Sequence, residues 1–356
     1  MFNTHLSKIS RFSNYTIDRS LYFRLDANER TIPFNKRDVS ELKKYITSDL
    51  LQSYPSQKEK LIKLISKKEK VNKKYINLIP GADPGIKYIF DIFSAQKGNV
   101  LSIYPTYGMI EIYCKTHKYK LLKIKESNFN DFLSKNKINS KTLFVYLANP
   151  NSPSGKLLDK NIIMKILKKA KKNNILVIID EAYIDFALEK SFSDLVKNYS
   201  NLIVLKTFSK CIGIAGLRLG YTIANPKINS AINAIRPPHD ISIFSIKVAE
   251  YFLSKKKIWT DYLKMINLSK AFVNNECKKR NFKFLNTEAN FFHIFFDKKK
   301  ILNVVKYFKD RKLLVASKYL GSYKSYNNSL RITYGSIHQL SIFFKMLDTF
   351  LLKNKP

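Results

Sequence analysis

A lysine in the second half of the chain stands among residues that bind phosphate well. Lys210 lies eight residues before Arg218, with Thr207 and Ser209 just ahead of it and small residues at 213–216. An amine in this position can form a Schiff base with an aldehyde cofactor, while the hydroxyls and the arginine hold that cofactor's phosphate. An ordinary surface lysine is the alternative, and it carries weight because lysine is abundant throughout the chain.

The elements that position this lysine are apolar runs separated by helical patterns. Lys210 follows the run from Leu202 to Leu205, which reads as a buried strand. Earlier runs of this kind cover residues 75–79, 99–104, 119–124, 143–147 and 175–179. Strands that alternate with helices predict an α/β fold with a mostly parallel sheet covered on both faces. Ligands of such sheets bind at the carboxyl ends of the strands, where the polar motifs of this chain fall.

Two of these motifs suit a charged ligand. Asp180 ends an apolar run, and a carboxylate there is costly unless it meets a cation. A helix N-cap is the alternative for this aspartate. The Gly-rich turn at 80–85 leads into a helix expected from about Ile86, and such a junction binds anions through backbone N–H groups. A plain helix cap explains that turn equally well.

Charge and cysteine content limit the function classes. The formal charge of +37 attracts polyanions non-specifically, and a non-catalytic polyanion-binding protein is the remote alternative. No nucleic-acid-binding module is recognisable, so we expect no specific nucleic-acid partner. Three scattered cysteines argue against a disulfide scaffold or a metal site and favour a cytoplasmic location. No apolar run approaches the roughly 20 residues of a membrane helix.

The second half of the chain predicts a second, smaller domain. Residues 245–280 have a helical pattern, and short strands, a helix and a closing helix at about 337–352 follow. We expect a large domain over residues 46–250 and a small α+β domain built from residues 1–45 and 251–356. Arg331 falls inside one of the short strands, where a charge without a function is unexpected.

Taken together, the motifs resemble those of the pyridoxal-phosphate-dependent class I/II aminotransferases of fold type I. The histidinol-phosphate aminotransferase branch is the most similar, and the resemblance extends from about Arg24 to Gly335. The resemblance implies the fold of these transferases, a mostly parallel seven-stranded sheet with a smaller α+β domain. The motifs that carry it occur in the family's order: GAD (81–83), PTYGM (105–109), NPNSPSG (149–155), DEAYIDF (180–186), TFSK (207–210), GIAGLRLGY (213–221) and LRITYG (330–335).

The resemblance also implies roles for individual residues. Lys210 would bind the aldehyde of pyridoxal 5'-phosphate and later move the substrate's proton. Asp180 would pair with the pyridine nitrogen, and Tyr183 would donate a hydrogen bond to the ring's phenolic oxygen. The further cofactor contacts that it implies are Ala82, Asp83, Tyr107, Asn151, Ser152, Thr207, Ser209 and Arg218.

Two subunits and a small substrate complete the expected site. Tyr54 would reach the cofactor phosphate of a neighbouring subunit, which implies a homodimer with shared active sites. Arg331 would bind the substrate carboxylate through its planar fork, and Asn28 would lie at the substrate entrance. The resemblance implies no metal.

The chain departs from the family pattern at places that affect the substrate. Ser152 replaces an asparagine that contacts the phenolic oxygen, so Tyr183 would carry more of that contact. Lys318 stands near the position of an arginine that reads the substrate phosphate, and Arg30 is a second candidate cation. The predicted function is an aminotransferase moving an amino group between an amino acid or small phosphorylated amine and a 2-keto acid. The alternative is a decarboxylase of a phosphorylated amino acid.

Overall fold

The structure, a computed structural model, describes residues 5–9, 17–125, 138–317 and 326–353. The strands are β1 Phe23–Arg24, β2 Ile76–Ile79, β3 Asn99–Ile103, β4 Lys120–Ile124, β5 Thr142–Ala148, β6 Leu176–Asp180, β7 Leu202–Thr207, β8 Gly220–Ala224, β9 Phe284–Leu285, β10 Phe291–Phe295, β11 Leu313–Leu314 and β12 Ser329–Thr333. The helices are α1 Lys36–Lys43, α2 Ser48–Gln52, α3 Glu59–Glu69, α4 Ala82–Ile92, α5 Met109–Thr116, α6 Lys160–Lys172, α7 Pro226–Ile235, α8 Ile243–Ser254, α9 Lys256–Lys279, α10 Lys298–Asp310 and α11 Ile337–Lys353.

Seven strands form the central sheet, in the order β2-β8-β7-β6-β5-β3-β4. The neighbours from β7 to β4 pair in parallel, and β8 is antiparallel to both β7 and β2. All seven residues of β5 are buried, as expected for a parallel strand covered on both faces. The prediction of a mostly parallel seven-stranded sheet is therefore confirmed. The apolar runs did not single out β8, whose first two residues, Gly220 and Tyr221, also end the motif at 213–221.

Amphipathic helices cover both faces of this sheet. On one face, α3, α6 and α8 contribute buried side chains such as Leu61, Ile166 and Ile246 to the core. On the other face, α4, α5 and α7 do the same through residues such as Phe90 and Ile110. The sheet is thereby enclosed, so that its strand ends are the natural place for a ligand.

Helix α4 begins earlier than the sequence predicted. It starts at Ala82 rather than at about Ile86, and Gly81 precedes it with a φ of 100°. Pro84 fits inside the first turn because the N–H groups there have no partner within the helix. The consequence is that the N–H groups of the helix terminus belong to Ala82 and its neighbours.

A second sheet, in the order β12-β10-β9, is antiparallel throughout. Its aromatic residues, among them Phe291 and Phe292, pack with α9, α10 and α11 in a separate core. The N-terminal segment joins this part of the molecule, because β1 pairs in parallel with β11. The proposed boundaries at residues 46 and 250 remain a prediction. Within the described residues, no helix is long and apolar enough to cross a membrane.

Candidate active site

A cavity of about 340 Å³ opens at the carboxyl ends of β5, β6 and β7. Ala148, Asp180 and Thr207, the last residues of those strands, all line it, and Ala82 and Asp83 at the N-terminus of α4 close another side. The predicted site residues that line the cavity are Ala82, Asp83, Tyr107, Ser152, Asp180, Tyr183, Thr207, Ser209, Lys210 and Arg218.

Asp180 is a buried carboxylate at the end of β6. Its Oδ2 accepts a hydrogen bond of 2.6 Å from the Tyr146 hydroxyl, and its Oδ1 accepts one of 3.0 Å from the N–H of Ala182. Burial raises the pKa of Asp180, although both hydrogen bonds act in the opposite direction. No ion pair involving Asp180 occurs in the part of the chain that the structure describes. A cationic ligand group would therefore be bound strongly here.

Lys210 projects from the loop after β7 towards the N-terminal segment. Its Nζ donates to the carbonyl oxygen of Ala27 at 3.2 Å and to that of Asn28 at 3.1 Å. The same Nζ lies 5.5 Å from the centre of the Tyr183 ring. Two uncharged carbonyl oxygens, rather than a carboxylate, accept from the amine, so the amine stays available to a ligand.

Hydroxyls, a helix terminus and an arginine gather at one end of the cavity. Thr207 Oγ1 donates to Ser209 Oγ at 3.0 Å and accepts from the Ser209 N–H at 3.1 Å. Arg218 has a left-handed backbone with a φ of 47°. A Cβ on Gly81 would lie 3.1 Å from Arg218 Nη2, so glycine lets the guanidinium approach the start of α4. This combination is well suited to a phosphate group.

A buried charge network lies next to the strand ends and fixes their relative positions. Lys206 of β7 bridges Glu69 at 2.9 Å and Glu181 at 3.2 Å, and all three side chains are almost fully buried. Lys68 pairs with Glu69 and with Asp185, both at 2.9 Å. Burial opposes the charge on Glu69, but Lys206 and Lys68 prevail and lower its pKa. The network ties α3 to β7, which leads into Lys210, and to Glu181, which follows Asp180.

Asn28, expected at the substrate entrance, is not among the residues that line the cavity. It is almost fully buried, and its Nδ2 donates to the Tyr183 hydroxyl at 3.0 Å. Its carbonyl oxygen accepts from Lys210 and, at 3.1 Å, from Asn290 Nδ2. The structure therefore places Asn28 in contact with two predicted catalytic residues and outside the cavity lining.

Three other predicted site residues also lie outside the lining. Asn151 is buried, and its Nδ2 donates to the Pro105 carbonyl oxygen at 2.7 Å. Arg331 Nη2 donates to the Asp26 carbonyl oxygen at 2.9 Å. Tyr54 is 80% exposed and stacks on His239 at 4.7 Å between ring centres.

Of the two candidate cations for a substrate phosphate, only Arg30 lies within the described residues. Arg30 does not line the cavity, because its guanidinium lies between the rings of Phe34 and Tyr262, 4.7 and 4.3 Å from their centres. A Cβ on Gly213 would lie 2.5 Å from Arg30 Cδ, so the arginine packs directly on that glycine. Burial lowers the pKa of Arg30. Lys318 lies outside the described residues.

Sequence reasoning missed two polar residues at the site. Tyr146, which donates a hydrogen bond to Asp180, lies in the middle of β5. Every residue of β5 is buried, so no alternation of polar and apolar residues shows which side chains face β6. Glu29 lines the cavity, and Arg19 donates to both of its carboxylate oxygens at 3.0 Å. Burial opposes its ionisation, yet Arg19 lowers the pKa of Glu29. No local sequence pattern indicated that Glu29 would line the cavity.

Comparison with known proteins decides the family. Residues 24–346 match the sequence pattern of the family described as aminotransferase class I and II. The chain belongs to this family. A histidinol-phosphate aminotransferase of Ruminiclostridium cellulolyticum is 31% identical over 352 residues, which cover 94% of this chain and 95% of the relative. The predicted aminotransferase activity and the pyridoxal phosphate cofactor are thereby confirmed.

Solved structures agree on the fold of this aminotransferase. The histidinol-phosphate aminotransferase of Sinorhizobium meliloti, in complex with pyridoxal-5'-phosphate, gives a TM-score of 0.84 at 18% identity, over 98% of each chain. L-threonine-O-3-phosphate decarboxylase of Porphyromonas gingivalis gives 0.78 at 22% identity, over 92% of this chain and 99% of that one. Identities this low establish the architecture and leave the substrate open.

The cavity of the aminotransferase fits its cofactor. A buried carboxylate, Asp180, matches the protonated nitrogen of a pyridine ring, and Arg218 with the start of α4 matches a phosphate. Lys210 lines the same cavity and supplies an amine for an aldehyde. Tyr107 supplies an aromatic ring, and burial raises the pKa of its hydroxyl. The cavity therefore offers a suitable group for the ring nitrogen, the phosphate, the aldehyde and the aromatic ring of pyridoxal phosphate.

Proposed function

We propose that this aminotransferase takes its amino group from a small phosphorylated amine of the histidinol phosphate type and passes it to a 2-keto acid. The observation that carries this proposal is the cavity in which Lys210, Asp180, Tyr183 and Arg218 converge. Support for the donor comes from the 31% identity with a histidinol-phosphate aminotransferase along nearly the whole chain.

Each end of the cavity has a role in holding the cofactor. Bound pyridoxal phosphate supplies an aldehyde for an amine and an electron-withdrawing ring that stabilises negative charge on the substrate's α-carbon. Asp180 keeps the ring nitrogen protonated because an ionised, buried carboxylate favours a cation beside it. Arg218, Thr207, Ser209 and the first N–H groups of α4 bind the phosphate.

Lys210 is the group that moves a proton. An amine at this place can remove the proton from the substrate's α-carbon and deliver it to the carbon of the cofactor's aldehyde group. The carbonyl oxygens of Ala27 and Asn28, which now accept from Nζ, keep the amine oriented when it is not engaged. Tyr183, next to Nζ, donates to the phenolic oxygen of the ring in this proposal, with Ser152 as a neighbouring hydroxyl.

The active unit is a homodimer in this proposal. Tyr54 stands 80% exposed and away from the cavity of its own chain, and Leu51 and Ile46 nearby are 73% and 53% exposed. Exposed apolar residues of this kind favour a partner surface. A second copy of the chain would cover them and bring Tyr54 to the cofactor phosphate of its partner. We also propose a cytoplasmic location, consistent with three free, buried cysteines.

Separate half-reactions test the donor directly. The protein, loaded with pyridoxal phosphate, is mixed with histidinol phosphate, histidinol, phosphoserine or phosphothreonine, and the cofactor absorbance is followed. We expect the aminated cofactor to form fastest with histidinol phosphate and to revert on addition of 2-oxoglutarate. Lys210→Ala is the control and should lose at least about 10³-fold in rate, more than 4 kcal/mol of barrier.

Two outcomes contradict the proposal in different ways. Equal rates with histidinol and histidinol phosphate mean that the phosphate is not recognised. Release of carbon dioxide from phosphoserine or phosphothreonine without any keto acid would instead establish the decarboxylase alternative.

A further inference from the structure

We propose that Asn28 is a positioning residue that turns the hydroxyl proton of Tyr183 towards the bound cofactor. The two side chains are 155 residues apart in sequence and 3.0 Å apart in the structure, between Asn28 Nδ2 and the Tyr183 oxygen. Both are buried, so their hydrogen bond does not exchange freely with water. The inference rests on the proposed contact between Tyr183 and the cofactor and does not depend on the identity of the amino donor.

Thr333 fixes the orientation of the Asn28 amide. The backbone N–H of Asn28 donates to Thr333 Oγ1 at 3.0 Å, and an N–H group can only donate. The Thr333 hydroxyl then donates its own proton to Asn28 Oδ1 at 3.4 Å. With the amide reversed, two N–H donors would face the Thr333 oxygen and the hydroxyl proton would lose its acceptor, which is costly at a residue 1% exposed.

The orientation of the amide determines the direction of the Tyr183 proton. With Oδ1 facing Thr333, Nδ2 faces Tyr183, and an amide nitrogen offers only donors. The Tyr183 oxygen must therefore accept from Asn28, and its own proton is left for another acceptor. Because Tyr183 lines the cavity, the phenolic oxygen of a bound cofactor is the acceptor that we assign.

The backbone around Asn28 is adapted to this role. Asn28 has a φ of 54°, a conformation that asparagine adopts more readily than most residues. Its carbonyl oxygen simultaneously accepts from Lys210 Nζ and from the fully buried Asn290. One residue thus contacts both the amine that binds the cofactor and the hydroxyl that adjusts its charge.

The cofactor's own absorbance reports the effect without any turnover. A hydrogen bond from Tyr183 stabilises the phenolate form of the cofactor ring. Loss of this bond raises the apparent pKa of the bound cofactor, which an absorbance titration measures. We expect Tyr183→Phe to raise that pKa by about one unit, in keeping with the strength of a hydrogen bond to a charged group. Asn28→Gly should raise it by about half as much, because the hydroxyl then loses its orientation but is still present.

Glycine is the matched replacement at position 28. It adopts a φ of 54° without strain and retains the N–H that bonds Thr333 and the carbonyl that accepts from Lys210. The charge of the site is unchanged. Thr333→Val removes the hydroxyl that orients the Asn28 amide and should also raise the pKa of the cofactor. Thr333→Ser, which keeps the hydroxyl, should leave that pKa at the parental value.

A double-mutant cycle separates positioning from a merely structural role. We expect Asn28→Gly to shift the pKa in the parental enzyme and to add no shift when Tyr183 is already phenylalanine. A shift of equal size in both backgrounds, or none in the parental one, overturns the inference. If Tyr183→Phe itself leaves the pKa unchanged, the contact of Tyr183 with the cofactor fails, and the inference fails with it. None of these outcomes depends on the amino donor.

Discussion

The hydroxyl of Tyr146 donates to the carboxylate of Asp180 at 2.6 Å, across the neighbouring strands β5 and β6. Both side chains are buried, and the donated proton favours the ionised form of the carboxylate against the effect of burial. The ability of Asp180 to keep the cofactor's ring nitrogen protonated therefore depends on a residue of another strand.

Replacement of Asp180 tests the role of its charge. Asp180→Asn should leave the cofactor bound and lower the rate of the half-reaction by about 10³-fold or more, a barrier increase above about 4 kcal/mol. The reason is that a neutral amide cannot stabilise a protonated ring nitrogen. Stopped-flow absorbance measures the rate, and a loss of less than about threefold would contradict the assignment.

Removal of the supporting hydroxyl should have a smaller effect with a definite sign. The hydrogen bond from Tyr146 lowers the pKa of Asp180 against burial, so Tyr146→Phe should raise that pKa. The activity that requires ionised Asp180 is then lost at a higher pH, and the acid limb of the kcat/KM profile should move to higher pH. Tyr119→Phe, another buried tyrosine outside the cavity lining, is the control and should leave the profile unchanged.

The sequence predicted the site residues that lie at strand ends and missed the contacts between segments that are distant in the chain. Asp180 and Lys210 each follow an apolar run, so their place at the carboxyl edge of the sheet could be anticipated. The site assignments that depend on a bound cofactor remain predictions. The contact of Asn28 with Tyr183 joins two loops of different parts of the chain, and no local pattern encodes it.

Some elements escaped prediction for local physical reasons. Strand β8 runs antiparallel beside β7 and begins at the end of a motif whose glycines and Arg218 resemble a loop. Helix α4 can begin at Ala82 although Pro84 follows, because the first turn of a helix tolerates the residue that breaks helices elsewhere. In both cases a local feature of the sequence, the glycines and Arg218 before β8 and Pro84 in α4, conceals the element.

Mixed dimers test whether two subunits share each active site. Tyr54→Ala and Lys210→Ala chains are unfolded together, refolded as a mixture and compared with each variant alone. If Tyr54 acts in the partner's site, a mixed dimer carries both lesions in one site and none in the other. About half of the dimers are mixed, so roughly a quarter of the parental activity should return. Activity equal to the mean of the two separate variants would exclude sharing.

The buried network around Glu69 should make stability depend on pH. Lys206 and Lys68 hold the pKa of Glu69 below its usual value of 4.5 in spite of burial. Folding therefore gains stability from this carboxylate above the unfolded pKa and loses it as the pH falls below about 4.5, by about 1.4 kcal/mol per pH unit. Glu69→Gln should cost about 3–5 kcal/mol at pH 7, because each buried lysine then loses one of its two carboxylate partners.

Urea unfolding at several pH values measures this difference. The gap between the parental protein and Glu69→Gln should be constant from pH 7 to about pH 5.5 and shrink below about 4.5. Glu59→Gln, on the same helix, is the control, because its side chain is 69% exposed in the pair with Lys73 and should change little. A gap that stays constant down to pH 3 would mean that Glu69 is not held ionised by the lysines.

Arg331 is the residue whose substrate role the half-reactions can isolate. Its Nη2 donates to the Asp26 carbonyl oxygen, and Asp26 lies beside the cavity-lining Ala27. Arg331→Lys should raise KM for the keto acid about 10–100-fold, the cost of losing one charge-assisted hydrogen bond of roughly 1.5–3 kcal/mol. Histidinol phosphate has no carboxylate, so its half-reaction should change less than about threefold. Arg311→Lys, an exposed arginine over the Tyr307 ring, is the control. Equal, negligible effects on both half-reactions would make Arg331 a structural residue that holds the Asp26 carbonyl and would leave the keto acid's carboxylate to another cation.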